Sequence, residues 1–308
     1  MENVVEVQNL TKIYDSLVAV DHINFNVEKG EIFGFLGPNG AGKTTTTRML
    51  TGIIRPNEGN AKILGYDIQK EPLKAKQNIG VVPETSNAYV DLSAWQNMML
   101  MAELYGIPKK EAVKRAEKFL ERLGLYERQN SKVKGFSKGM KQRLILCMAL
   151  INDPILIFLD EPTSGLDVQS SRVIRDILLE FPKEGKTIFL TTHNMDEANH
   201  LCDRVAIINH GKIAAIDRPA TLKNMIKRLN SVEISFDSII KTETLSEIPY
   251  IRNITKEGDK FIISTEDVDN LIHSLADFAE STKPAPAFFK SSKLGIFTIK
   301  TSFIDNNS

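Results

Sequence analysis

The alternation of apolar and polar residues falls into two textures. In the first part, residues 4–10 (VVEVQNL) alternate as a half-buried strand does, and residues 32–36 form a compact apolar run leading into glycine. Residues 44–50 then read as the start of a helix. From 93 to 150 helical spacing dominates. Residues 112–123 carry apolar positions on one helical face and stop at Gly124, a residue suited to a left-handed C-cap. Residues 155–159 and 187–190 are short runs of the fully buried type, each followed at once by polar residues. Short apolar strands alternating with helices predict an α/β fold, a mostly parallel sheet covered on both faces.

Near residue 230 the texture changes. Residues 231–236, 260–265 and 294–300 alternate, while 268–278 has helical spacing. This predicts a small α+β domain over 230–308, appended to a main domain over 1–229 whose helical part spans about 85–150. The last residues, IDNNS, are expected to fray.

Composition narrows the field. A length of 308 residues suits one large domain plus a small one. Lysine and arginine together number 39, as do aspartate and glutamate, so no net field draws the chain to nucleic acid or an anionic bilayer. Two cysteines, Cys147 and Cys202, lack metal-ligand spacing and fit a reducing cytosol. The N-terminal MENVVEVQNL carries acids and no apolar signal-peptide core. The longest apolar run, residues 144–151, falls far short of the roughly 18 residues a span needs. A chain that does not itself cross a membrane is expected.

Two segments carry chemistry. Gly37-Pro38-Asn39-Gly40-Ala41-Gly42-Lys43-Thr44 fits G-x-x-x-x-G-K-[ST] in full, between a strand and a helix. Glycines let backbone N–H groups turn toward phosphates, Lys43 adds a point charge, and the Thr44 hydroxyl can ligate Mg²⁺. Chance matches arise about once in 80,000 windows, so a phosphate cradle is favoured over a glycine-rich turn with a solvated lysine. Downstream, the apolar run ends in Asp160-Glu161. A buried strand ending in acids is by itself equally suited to a turn or cap. Behind a phosphate cradle, Asp160 becomes a candidate metal ligand and Glu161 a candidate to polarise the attacking water.

Further motifs complete an ordered set: Phe136-Ser137-Lys138-Gly139-Met140-Lys141-Gln142-Arg143, then Ser164-Gly165-Leu166-Asp167, then Thr191-Thr192-His193. Over about residues 3–228 this set resembles the ABC ATPase family. The resemblance implies a P-loop core with an N-terminal antiparallel β part and an inserted helical subdomain, binding ATP and Mg²⁺. It implies that Gly37 to Thr45 hold phosphates, that Tyr14 stacks on adenine, and that His193 meets the γ-phosphate. Ser137 and Gly139 match the family signature, which completes the partner protomer's site, and Asp167 matches an acid linking the two sites. Lys138 and Met140 depart from the commonest signature, and the Ser-Lys-Gly-Met-Lys-Gln variant is similar to subunits paired with exporting, ABC-2-type membrane partners.

The resemblance therefore implies a homodimer, or a heterodimer with a similar ATPase subunit, on the cytoplasmic face and bound to separate multi-span permease subunits. No nucleic-acid partner is expected. A soluble ATPase remodelling an assembly is the alternative, but such proteins usually carry long coiled coils or two ATPase domains in one chain. Glu84 stands where the family usually has a glutamine at the metal, and its carboxylate adds negative charge there. The stripe Asn97-Met98-Met99-Leu100-Met101 suits core packing better than a partner groove. The segment after 230 sits where the same exporter-like subfamily has an accessory domain, without the Leu-Glu-Asp-Val-Phe-type ending expected there.

Overall fold

The computed structural model describes residues 2–85, 88–228, 230–236, 242–258, 260–265, 267–282, 286–291 and 298–299. Two compact units divide at Pro219/Ala220. The change of texture at 230 marks a strand start instead, because the helix that follows the division has no distinctive composition.

In the first unit β1 (Asn3–Tyr14) and β2 (Leu17–Glu28) form a long hairpin, and β3 (Ile32–Leu36) leads into α1 (Lys43–Leu50). The strands β4 (Glu58–Ile63) and β5 (Tyr66–Asp67) follow, then α2 (Pro72–Gln77) and β6 (Ile79–Val82). Three helices come next: α3 (Ala94–Leu104), α4 (Lys109–Arg122) and α5 (Lys138–Leu150). The chain continues through β7 (Leu156–Asp160), α6 (Val168–Leu178), β8 (Thr187–Thr192) and α7 (Met195–Leu201). A hairpin of β9 (Arg204–Asn209) and β10 (Lys212–Asp217) ends the first unit.

The central sheet has the order β10-β9-β3-β8-β7-β6, all parallel except β10. A smaller antiparallel sheet, β2-β1-β4-β5, packs over one face. The predicted fold class is what forms. Alternation within β3 explains the junction: Phe33 and Phe35 project to one face and meet the rings of Phe25 and Phe189, and Phe189 in turn meets Phe158, at centroid distances of 5.4–6.0 Å. Such pairs each add about 0.5–1.5 kcal/mol beyond burial. On the other face Gly34 lies under Cys202, whose sulfur is 2.7 Å from where a Cβ would sit. Both cysteines are buried, which pushes their thiols well above the usual range.

In the helical segment α4 ends as expected. Gly124 is left-handed (φ 64°), and Leu125 N–H and Gly124 N–H donate to the carbonyls of Leu120 and Glu121, the paired bonds of a Schellman cap. Helix α3 opens on a capping box of Ser93 and Gln96. Asn97 and Met98 are fully buried and Asn97 holds both backbone groups of Tyr89, whereas Met99, Leu100 and Met101 are half-buried. The stripe is thus partly core and partly surface.

The second unit opens with α8 (Pro219–Arg228) and contains β11 (Asn230–Phe236), α9 (Thr242–Ser246), β12 (Asn253–Glu257), β13 (Lys260–Thr265), α10 (Val268–Thr282), β14 (Pro286–Ser291) and β15 (Thr298–Ile299). Its strands form one antiparallel sheet, β12-β13-β11-β14-β15. Val232 and Ile234, Phe261 and Ile263, and Leu271 and Leu275 meet in its core, the spacing of two strands and one helix. Of the alternating stretch 294–300 only Thr298–Ile299 is among the described residues, and the terminal residues lie outside them.

Candidate functional site

Parallel strands place their following residues along one sheet edge. Leu36 pairs with Thr192, Asp160 with Thr191, and Val82 with Leu159. The loop after β3, the acids ending β7, His193 after β8 and Glu84 after β6 therefore gather at the carboxyl ends of adjacent strands. There a cleft of about 440 Å³ opens, lined by Tyr14, Leu17, Ala19, Asn39, Gly40, Gly42, Lys43, Thr44, Thr45, Glu84 and Glu161.

The loop is an anion cradle by its unused donors. Its internal bonds run from Ala41 N–H to the Pro38 carbonyl and from Thr46 N–H to the Gly42 carbonyl. The N–H groups of Asn39, Gly40, Gly42, Lys43, Thr44 and Thr45 have no acceptor among the described residues. They surround a helix N-terminus with no side-chain cap, where an anion is favoured. Two glycines are fixed by packing as well. Gly42 has φ 108°, and a Cβ there would meet the Ala19 carbonyl at 2.6 Å; one on Gly37 would meet the Ile208 carbonyl at 2.3 Å. Pro38 and Ala41 belong to the same loop but do not line the cleft.

Lys43 is buried, with Nζ donating to the carbonyls of Gly37 (2.7 Å) and Pro38 (3.2 Å). It also stands 3.4 Å from Glu161 Oε1. Glu161 is buried and left-handed (φ 50°), a conformation that costs a non-glycine residue energy and is common at functional sites. Its Oε2 lies 2.9 Å from Nδ1 of exposed His193, while Oε1 is buried with no hydrogen bond among the described residues. The ammonium at Oε1 is an ion pair by distance only. A buried carboxylate oxygen without a donor is costly unless a further group arrives.

Asp160 is buried, and its Oδ1 accepts the Thr191 hydroxyl; Oδ2 has no hydrogen bond among the described residues. Thr46 and Thr47 bond back to helix carbonyls, whereas the Thr44 and Thr45 hydroxyls have no partner among those residues. A hydroxyl, a buried carboxylate oxygen and the exposed Glu84 are hard oxygen donors. They fit Mg²⁺, which completes its shell with water and substrate phosphates. No cage of three or more His, Cys, Asp or Glu side chains occurs among the described residues.

The other predicted residues lie elsewhere. Ser137 caps α5, accepting from Met140 N–H at 3.2 Å, and neither Ser137 nor Gly139 lines the cleft. Asp167 caps α6 through Ser170 N–H (2.8 Å), a bond that lowers its carboxyl pKa. Tyr14 is 42% exposed at the mouth, near Leu17 and Ala19, with the Lys12 ammonium 5.3 Å from its ring centre. Leu17 and Ala19 were not predictable from sequence, since only the hairpin brings them to the loop.

A family model described as ABC transporter matches residues 20–164. The linearmycin resistance ATP-binding protein LnrL of Bacillus subtilis strain 168 is 43% identical over 211 residues, 68% of each chain. The chain belongs to the ABC transporter ATP-binding subunits. It binds ATP, and its ATPase activity energises a transporter. A Nod factor export ATP-binding protein I of Ralstonia nicotianae is 34% identical over 278 residues, 90% of this chain and 86% of that one. A solved dimeric ATP-binding cassette in a post-hydrolysis state with ADP and phosphate superposes with a TM-score of 0.64 at 27% identity, over 70% of this ABC subunit and 98% of that chain. Among the described residues no helix is long and apolar enough to cross a membrane.

Proposed function

We propose that this ABC subunit works as an Mg²⁺-dependent ATPase dimer, of two copies or with a similar subunit, on the cytoplasmic side of a membrane. There it drives export through separate multi-span permease subunits. The observation that carries the catalytic reading is Glu161: left-handed, buried at the cleft and held between Lys43 and His193, with Oε1 beside the ammonium and without a hydrogen bond among the described residues. Phosphates bind to the free N–H groups from Asn39 to Thr45, and adenine lies on Tyr14 at the mouth. Binding phosphate draws Lys43 Nζ from the loop carbonyls to the anion. Glu161 polarises a water that attacks the γ-phosphorus as the bond to the bridging oxygen breaks. Lys43 and His193 stabilise the charge that develops. Thr44 and Asp160, with Glu84, would hold Mg²⁺, which would supply neutralisation of the phosphate charge.

Ser137 and Gly139 act on the partner's nucleotide, which makes the contact reciprocal about a two-fold axis. ATP binds the closed dimer better than the open one, so closure does work and hydrolysis releases it. The export direction is supported by relatives named for export or resistance, including the daunorubicin/doxorubicin resistance protein DrrA of Streptomyces peucetius, 37% identical over 222 residues, 72% of this chain and 67% of that one.

The catalytic reading is tested with Glu161→Gln. Hydrolysis is expected to fall by about 10²–10⁴-fold with ATP still bound and an ATP-loaded dimer accumulating. Unchanged steady-state turnover would remove Glu161 from this role. Affinity isolation of the tagged chain from detergent-solubilised native membranes tests the partner. A stoichiometric protein with several apolar spans of about 20 residues is expected. Recovery of soluble proteins alone would favour a remodelling ATPase.

A further inference from the structure

Glu197 lies on α7, outside every motif discussed so far, yet it is only 5% exposed. A buried carboxylate must find donors or be expensive to keep. Its two oxygens find one each. Oε1 accepts the Thr163 hydroxyl, and Oε2 accepts the Thr192 hydroxyl at 2.6 Å. Thr163 is two residues beyond Glu161, and Thr192 immediately precedes His193. One side chain thus fastens the segment leaving β7 to the segment leaving β8.

The bonds around it make the fastening definite. A carboxylate only accepts, so both hydroxyls are oriented as donors. That leaves the Thr192 oxygen free to accept Asn194 N–H at 3.0 Å, while the Asn194 side chain caps the helix that carries Glu197. The Thr192 carbonyl takes Gly37 N–H at 3.2 Å, tying the same point to the phosphate loop. On the other side Ser164 N–H donates to the Glu161 carbonyl and Leu166 N–H to that of Thr163. Both ends of the Glu161–His193 pair therefore lead back to one buried carboxylate.

We propose that Glu197 is a positioning residue for ATP hydrolysis, clamping Thr163 and Thr192 so that Glu161 and His193 are held in register with the phosphate loop. The inference rests on the roles proposed above for Glu161 and His193. Misplacement of a reacting group by about 1 Å can lower a rate by about 10²-fold. The clamp should therefore act on turnover and leave the nucleotide cradle, whose donors lie on another loop, largely untouched.

The test uses the full chain and measures ATP turnover, binding of a non-hydrolysable ATP analogue, and thermal unfolding. Glu197→Ala is expected to lower kcat by about tenfold or more with KM and analogue affinity within about threefold. Glu197→Gln, whose amide can serve one hydroxyl as acceptor, is expected to fall between wild type and Glu197→Ala. Thr163→Val should lower kcat alone but add nothing to Glu197→Ala, as expected for partners in one bond network. If Glu197→Ala fails to fold, Glu197→Gln and Thr163→Val decide by the same kcat-against-KM split. Wild-type kcat in folded Glu197→Ala, or additive losses with Thr163→Val, would overturn the clamp. The failure of the clamp and of its premise are separable: loss of turnover in Glu161→Gln beside intact turnover in Glu197→Ala refutes the clamp alone, while wild-type turnover in Glu161→Gln refutes the premise.

Discussion

The loop ahead of α1 and the turn ahead of α5 are both glycine-bearing entries to a helix, and their polar groups are used differently. At α1 no side chain caps the helix, a run of N–H groups faces the cleft without acceptors, and a buried lysine rests on the loop's own carbonyls. At α5 the Ser137 hydroxyl accepts from Met140 N–H, so one of the free donors is already taken. Gly139 packs so closely on α6 that a Cβ would stand 2.3 Å from the Ser170 hydroxyl. The first loop is prepared for an anion within one chain, while the second already commits one donor to its own serine. A serine hydroxyl can accept from Met140 and still donate its own proton to a phosphate. The turn at α5 therefore fits a second-shot contact, made when another subunit brings its nucleotide, and needs no internal bond broken.

The comparison is broken most forcefully by mutating one residue in each loop. Lys43→Ala removes a buried cation from the cradle and is expected to weaken ATP binding by about 10–100-fold, the range of a charge-assisted hydrogen bond. Ser137→Arg adds bulk outside the cleft. Nucleotide affinity of the single chain is expected to stay within about threefold, while ATP-dependent dimerisation and turnover are lost. Equilibrium nucleotide binding and light scattering on both variants provide the readout. If Ser137→Arg still dimerises with ATP, the α5 turn is not part of a composite site. If it loses nucleotide binding as Lys43→Ala does, the two loops are not separable.

Legibility follows the same division. Residues that do their work close in sequence were readable: the cradle, the apolar run of β3, and Gly124 with its left-handed cap. A two-residue turn at His210-Gly211, both with positive φ, closes the β9–β10 hairpin, and its signal is as local as the dipeptide. The Ser93–Gln96 capping box is local in the same sense, its S-x-x-Q spacing standing directly ahead of α3. What could not be read is whatever depends on strand order. Leu17 and Ala19 reach the cleft only through the hairpin, and Glu161 meets His193 only because β7 and β8 are neighbours. Glu197 was hidden by its type: a glutamate in a short polar helix reads as solvated until its burial is known.

Glu84 tests the comparison most gently, because it bears on the cradle from an exposed position. It lines the cleft after β6, where a carboxylate would face the phosphates and any bound metal. Two roles predict different results for Glu84→Gln. If the carboxylate ligates Mg²⁺, its loss raises the Mg²⁺ concentration needed for half-maximal turnover. If it acts only as a negative charge, its removal tightens ATP binding and leaves the Mg²⁺ requirement alone. An exposed charge interaction is worth about 0.2–1 kcal/mol, so either change should be about 1.5–5-fold. Turnover titrated with Mg²⁺ at two ionic strengths separates them, since salt screens a field at an exposed site more than it weakens a direct metal bond. A higher Mg²⁺ requirement that persists at high salt is the expected result, because a carboxylate at this cleft edge is a hard donor of the kind Mg²⁺ prefers. A purely salt-sensitive gain in ATP affinity would take Glu84 out of the metal site and leave Thr44 and Asp160 as its protein ligands.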